Sequence, residues 1–437
     1  MKKVLVLGAG MVAKPFVEEM LEQGFQTTCV DVEIARAEAM IENHPLGKAL
    51  SEDIRNQETL DELIGANDLV ASLLPPPFHP MVAKRCLAKK KNMVTTSYLT
   101  EELRALSTDV EEAGLIFLNE TGLDPGIDHM TVMELKDEVI ADGGKIVGFQ
   151  SHCGGFPSRK AATNPIRYKF SWNPGGVLGA LTRDSSFMLN GLEHVVPGEQ
   201  MLSQSRPILV PGEGIYEVTP NGNASYYADK YGLQDCHSVL RGTLRYPGWA
   251  HFWTFVQQFG WLNKERKIDV ENLSPIQLFQ ALSPWDESLN FMEFIKQSRP
   301  KTASLILEIF ESLGFFDEDA TLNGSYSAFD VFLEKTQENW LYAEDEVDKV
   351  VLFNRFDVEK NGNTKAWTSI LSQEGTPGGH SAMSLLVGLP CAIGATLILQ
   401  NQIHSKGVRI PLNKEIYGPI LNGLKAKGIQ FEKRISP

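Results

Sequence analysis

Four apolar residues, Val4, Leu5, Val6 and Leu7, stand at the front of the chain and empty into Gly8-Ala9-Gly10. An unbroken apolar run of this length is the pattern of a short parallel strand buried on both faces. Residues 11–23 follow with helical spacing, so the opening predicts strand, glycine turn and helix. The alternation continues, with strands predicted at 4–7, 26–30, 69–73, 92–96 and 116–119 and helical segments at 60–64, 80–88 and 100–113. Strands that alternate with helices imply a parallel sheet. Pro75-Pro76-Pro77 ends the third of these strands abruptly and shapes the loop after it.

The pattern changes after Thr121-Gly122-Leu123-Asp124-Pro125-Gly126. Residues 145–250 are rich in Gly, Pro, Tyr and polar turns, as in an antiparallel or mixed α+β domain. Residues 252–339 read as mainly helical, including 275–282 and 302–313. Strand-like stretches at 349–357 and 365–372 return to the second domain's sheet, and the tail reads as a helix, a loop with Pro411 and a last helix near 417–427. The uncharged stretch 381–402 is long enough to span a bilayer. Pro390, with Gly388 and Gly394 close by, interrupts it, so it is predicted as two buried helical pieces of a soluble protein.

At 437 residues the chain exceeds what one core accommodates, and two or three domains are expected. A net charge of −14 argues against a nucleic-acid partner, which needs a clustered basic surface. The one basic run, Lys89-Lys90-Lys91, falls between a helix and a strand and reads as a solvated loop. The five cysteines, Cys29, Cys86, Cys153, Cys236 and Cys391, are odd in number and lack C-x-x-C spacing, which fits reduced thiols in the cytoplasm. No signal peptide is read before the first strand, and no membrane association is expected.

Gly8 permits a tight turn, and Gly10, lacking a Cβ, lets a pyrophosphate approach the backbone at a helix N-terminus. Ala13 takes the place of the usual third glycine. Asp31 ends the second predicted strand, roughly 20 residues after the glycines, where a carboxylate can accept from ribose hydroxyls. A carboxylate there repels a 2′-phosphate, so NAD is expected rather than NADP. Thr95-Thr96-Ser97-Tyr98 sits at the carboxyl end of a strand, where ligands of open α/β sheets bind, although such hydroxyls also cap helices. Asp124 in Gly122-Leu123-Asp124-Pro125-Gly126-Ile127-Asp128-His129 is a carboxylate held by two turn residues, or part of an ordinary turn. Asp128 and His129 lack a third ligand at helical spacing, so no metal is expected. His152 and Cys153 are adjacent on a strand and point to opposite faces, which disfavours an ion pair and makes Cys153 a pocket-lining group. Arg167 to Asn173 and Arg241 to Tyr246 gather cations and aromatics that suit small carboxylates, or surface ion pairs.

Taken in order, these motifs resemble the glutamate-forming saccharopine dehydrogenases, also called saccharopine reductases. The resemblance covers nearly the whole chain: the G-x-G opening, V-T-T-S-Y (94–98), G-L-D-P-G-I-D-H (122–129), C-G-G-x-P (153–157), N-P-x-x-Y-K-F-S-W (164–172), R-G-T-L-R-Y (241–246) and S-A-M-x-x-L-V-G-x-P-C (381–391). It implies an α/β fold, a Rossmann doubly wound parallel sheet with an inserted α+β substrate domain and a smaller helical domain. The implied division is 1–123 with 390–437, 124–250 with 340–389, and 251–339. It implies oxidation of saccharopine with water to L-glutamate and 2-aminoadipate 6-semialdehyde, or the reverse reductive amination, in a homodimer. Acid–base groups of the family match Tyr98, Asp124 and Cys153, and substrate contacts match Ser97, Tyr98, Asp124, Asn173, Thr243, Leu244 and Arg245. Cofactor contacts match Gly8, Ala9, Gly10, Met11, Val12, Val30, Asp31, Val32, Asp53, Ile54, Leu74, Thr96, Ser97, Leu123, Asp124 and Pro125.

Two departures from the family pattern stand out. NADP-dependent fungal members carry Arg just after the second strand, where this chain has Val32, which again favours NAD. Members read P-N-R-D-S where this chain reads Pro220-Asn221-Gly222-Asn223-Ala224-Ser225, so a carboxylate-binding arginine has become Gly222. Arg206, Lys230 and Arg241 are the candidate replacements. The change leaves open a related carboxy-polyamine or lysine-type dehydrogenase, or a non-catalytic nucleotide-binding protein. The polar groups Tyr98, Asp124 and Arg245 weigh against the last.

Overall fold

The structure, a computed structural model, describes residues 1–317 and 321–437. They form two compact units: Met1–Ser151 with Asp229–Asp235 and Leu352–Pro437, and His152–Ala228 with Cys236–Val351.

The first unit is built on β1 (Lys3–Leu7), α1 (Lys14–Glu22), β2 (Gln26–Asp31), α2 (Ile34–Ile41), β3 (Gly47–Ser51), α3 (Gln57–Gly65), β4 (Leu69–Ser72), α4 (His79–Ala88), β5 (Asn92–Val94), α5 (Glu101–Ala105), α6 (Ser107–Glu112), β6 (Ile116–Leu118), α7 (Ile127–Ala141) and β7 (Lys145–Pro157). Strand Gly407–Arg409 joins β6–β5–β4–β1–β2–β3 in a seven-stranded sheet, parallel throughout. The order reverses between β1 and β4, the switch point at which ligands of doubly wound folds bind. Val4 to Leu7 are fully buried, which is why an unbroken apolar run sufficed to mark β1.

Elements α2 and β3 went unread, because Gly47-Lys48-Ala49-Leu50-Ser51 is a half-exposed strand without a hydrophobic run. The helix predicted from residue 11 begins at Lys14, with Pro15 in its first turn, and the segment 100–113 is two short helices. The stretch 381–402 corrects the expectation of two pieces: Ala382–Leu399 is one helix with Pro390 inside it. Proline forfeits one backbone hydrogen bond, but this helix is apolar and buried nearly all round, and that packing holds it together. A Cβ on Gly388 would lie 2.8 Å from the Val12 carbonyl oxygen, so glycine there lets the helix pack closely on the start of α1.

The later half of β7 enters the second unit, where it neighbours Ser238–Arg245, followed by Gly214–Pro220 and Arg206–Val210. Beyond them, helices Trp249–Gln258, Pro275–Leu282, Phe291–Ser298, Ala303–Ser312 and Ala328–Asn339 surround an aromatic core that includes Trp253, Trp261, Phe310, Phe332 and Trp340. Three of these helices start with reciprocal capping boxes, at Ser274/Gln277, Asn290/Glu293 and Ser327/Asp330. The segment read as helical also carries a two-stranded antiparallel sheet, Ile268–Leu273 with Leu322–Tyr326, and its residues 318–320 lie outside those described.

Candidate cofactor and substrate sites

Gly8 has φ +97°, and a Cβ on it would lie 2.9 Å from the Leu73 carbonyl oxygen. Positive φ and close approach to the β4 loop both demand glycine here. No atom lies within 4 Å of a Cβ placed on Gly10, and Met11 is exposed, so the turn presents an open backbone cradle. α1 starts without a side-chain cap, which leaves its N-terminal amides to a ligand. These features fit a pyrophosphate.

Asp31 has a structural role that its sequence position did not announce. Its Oδ2 accepts from the Ala9 N–H at 2.9 Å and its Oδ1 from the Glu33 N–H at 3.0 Å. The carboxylate thus fastens the glycine turn to the end of β2. Val30 is buried behind it and Val32 is exposed beside it. Asp53 is an exposed carboxylate held below its ordinary range by hydrogen bonds from Arg55, whereas Ile54 is buried in the hydrophobic core beneath. Leu74 packs at the edge of the same core.

The loops after β4, β5 and β6 bring further groups to this edge of the sheet. His79, fully buried, joins Ser72 Oγ at 2.8 Å to Ser97 Oγ at 2.8 Å. Burial pushes its imidazole down to about 4, so it stays neutral, one nitrogen donating and the other accepting. The Tyr98 phenol donates to Asp124 Oδ1 at 3.0 Å. Thr96, Leu123 and Pro125 pack around the turn that carries Asp124, a Cβ on Gly122 meeting Thr96 at 3.2 Å and the Pro125 carbonyl oxygen at 3.1 Å. His79 escaped the sequence reading; its signal was a histidine directly behind a proline-terminated strand.

In the second unit, alternation along the strands sorts the remaining residues. A Cβ on Gly242 would lie 2.8 Å from His152 Nδ1, which puts His152 on the face of Gly242 and Leu244. Cys153 therefore shares the opposite face with Thr243 and Arg245. The buried Arg245 guanidinium lies 4.9 Å from the Tyr168 ring and 5.2 Å from Trp249, and its Nε has no hydrogen-bond partner among the described residues. A buried cation with an unused donor suits an incoming carboxylate. Leu244 is fully buried on the other face, and Asn173 caps helix Pro174–Gly179 by accepting from the Gly176 N–H at 3.1 Å. Gly222 (φ +62°) has open space around it. Of the candidate replacements, Arg206 pairs with Val218 and Val218 with Leu244, so Arg206 lies on the wrong face; Arg241 shares the face of Thr243 and Arg245, with its guanidinium 4.2 Å from the Tyr227 ring. Lys230 belongs to the first unit.

An open glycine turn at the switch point of a sheet ordered 3-2-1-4-5-6 places the first unit among the Rossmann-type nucleotide-binding proteins. Comparison with known proteins narrows the class. The saccharopine dehydrogenase NADP binding domain model matches residues 4–118, and the saccharopine dehydrogenase C-terminal domain model matches 122–429. The chain belongs to the saccharopine dehydrogenase family. It is 32% identical to saccharopine dehydrogenase [NADP(+), L-glutamate-forming] of Pyricularia oryzae over 99% of both chains. Mitochondrial alpha-aminoadipic semialdehyde synthase of Bos taurus is 35% identical over 98% of this chain and 47% of its own length. The solved apo histidine-tagged saccharopine dehydrogenase (L-Glu forming) from Saccharomyces cerevisiae superposes with a TM-score of 0.92 at 32% identity, covering 100% of each chain.

The expectation of NAD is overturned, since the fungal saccharopine dehydrogenases of Pyricularia oryzae and Saccharomyces cerevisiae are named for NADP(+) and the matching N-terminal model is an NADP binding domain. The physical reason lies in Asp31. Each of its oxygens accepts from a backbone amide, so its presence has a structural reason of its own and does not by itself select the ribose.

Proposed function

We propose that the chain oxidises the C–N bond of saccharopine with NADP and water, giving L-glutamate and 2-aminoadipate 6-semialdehyde, or runs the reverse reductive amination, in lysine metabolism. The observation that carries this reading is the Tyr98–Asp124 hydrogen bond of 3.0 Å on the loops that flank the nucleotide edge. When bound, the nicotinamide supplies a hydride acceptor. Asp124 is placed to take the proton of the secondary amine, and Tyr98 to pass a proton between Asp124 and the nitrogen or the attacking water. Ser97, held by neutral His79, orients the ligand at its hydroxyl. Arg245, with its unused Nε, holds a substrate carboxylate, with Thr243, Asn173 and Cys153 as further contacts. Gly8 and Ala9, whose amides are held by Val30 and Asp31, shape the turn, and the open backbone at Gly10 receives the pyrophosphate. With Val32 in place of arginine, the candidate cations for a 2′-phosphate are Arg36, paired with Glu33 at 2.8 Å, and Arg55, paired with Asp53 at 2.6 Å; either can exchange its carboxylate for phosphate.

Gly222 favours a second reading, a carboxy-polyamine or lysine-type dehydrogenase that needs one arginine fewer. Reduced-cofactor absorbance, followed with saccharopine, lysine and carboxynorspermidine in turn, separates the two: turnover on saccharopine alone supports the first, and turnover only on another amine overturns it. We also propose a cytoplasmic homodimer, to be checked by fractionation and light scattering.

A further inference from the structure

Glu120 is a buried glutamate in a left-handed backbone conformation, φ +54°, directly after β6. A side chain is rarely tolerated there, and glycine would be the unstrained choice. Strain of this kind persists where surrounding contacts over-determine the residue.

Those contacts bracket Tyr98. The Glu120 backbone N–H donates to the carbonyl of Ser97, the residue before Tyr98, at 3.1 Å. Its Oε1 accepts from the N–H of Leu99, the residue after, at 2.9 Å. Both peptide groups flanking the phenol are thus pinned by one residue. The other carboxylate oxygen, Oε2, lies 2.8 Å from His129 Nε2. His129 stands on α7 just beyond the turn that carries Asp124, and its Nδ1 lies 2.5 Å from the Tyr231 hydroxyl. Asp128, next to it, accepts from the Gly126 N–H of that same turn at 2.6 Å. One side chain therefore ties the loop of Tyr98 to the helix start that supports Asp124.

We infer that Glu120 is a positioning residue: it holds the Tyr98 phenol at hydrogen-bonding distance from Asp124, with His129 as its anchor. The inference rests on the proposed roles of Tyr98 and Asp124 in proton transfer. Neither Glu120 nor His129 reaches the reacting atoms; they act through the loop, where a displacement of an ångström costs on the order of 100-fold in rate.

The test uses Glu120→Gln, which keeps an acceptor for Leu99, Glu120→Ala, which keeps none, and Glu120→Gly, which also relieves the strain. All three are measured in the full chain for cofactor binding, for kcat and KM on saccharopine, and by crystallography of the cofactor-free protein. The expected result is cofactor affinity within about threefold of wild type and kcat lowered roughly 10- to 100-fold in the Ala and Gly variants, with Gln recovering most of it. The crystals are expected to show Tyr98 and Asp124 parted beyond about 3.5 Å in Ala and Gly but not in Gln. An unchanged Tyr98–Asp124 distance in Glu120→Ala overturns the inference, as does a kcat loss in Gln equal to that in Ala. If wild type fails to turn over saccharopine, the functional reading falls while the crystallographic arm still decides the positioning role. Should Glu120→Ala not fold, the Gln and Gly variants carry the same two comparisons.

Discussion

His79 Nε2 and Ser97 Oγ stand 2.8 Å apart, and the other imidazole nitrogen meets Ser72 Oγ at the same distance. The end of β4 and the loop after β5 are thereby joined through a histidine that burial keeps uncharged, pushed down to about 4.

That neutrality links stability to pH. Unfolded, the imidazole takes up a proton below its ordinary value of 6.5, whereas folded it resists protonation until about 4. Stability is therefore full above pH 6.5 and falls as the pH drops through the window from 6.5 to 4. The loss from His79 alone reaches about 3 kcal/mol by pH 4. His152, pushed down to about 3 mainly by burial and also by Arg206, extends the same trend to lower pH. Urea midpoints measured across this range should show a shallower acid slope in His79→Gln; an identical slope would mean that His79 titrates normally in the native protein.

Asp31→Ala frees the amides of Ala9 and Glu33 and loosens the glycine turn. Because the carboxylate acts on the turn, NADPH and NADH should both weaken, by roughly 10-fold or about 1.4 kcal/mol, the worth of a strong hydrogen bond to a charged group. Fluorescence titration with each cofactor checks this. A loss confined to NADH would instead assign the carboxylate chiefly to the ribose.

Tyr98→Phe and Asp124→Asn should each lower kcat by about 100- to 10,000-fold while the affinity for NADPH stays unchanged. Single-turnover kinetics together with cofactor titration separate the two effects. If both variants lose cofactor affinity in step with rate, the pair serves binding and not proton transfer.

Arg245→Ala should raise the KM for the amino-acid substrate by on the order of 100-fold, as expected when a buried charge partner is removed. Arg245→Lys should not rescue it, since the flat guanidinium lies against Tyr168 and Trp249 and an ammonium reproduces neither the stacking nor the fork. Full recovery by lysine would reduce the role of Arg245 to that of a point charge.

The parts of the molecule that speak through local physics were legible in the sequence. β1, β2 and β4 are buried runs closed by glycine, an acid or proline, and those signals were enough to place the glycine turn. β3 had no such signal, because it is half exposed at the sheet's edge. Pro390 misled, since a single proline reads as a break unless the packing on every side of its helix is known. Asp31 was found, but its hold on the turn was not: its partners, the amides of Ala9 and Glu33, are set by how the turn folds back on β2. His79 and Glu120 contribute through contacts 18 to 21 residues away in sequence, with Ser97 and Leu99, and no local pattern announces such pairs.

Helix Ala382–Leu399, with its glycine against the α1 backbone, and strand Gly407–Arg409, at the margin of the parallel sheet, both come from the far end of the polypeptide. The nucleotide fold is consequently not a self-contained module: without that helix the flank of α1 stays uncovered, and without that strand β6 is left as a bare edge.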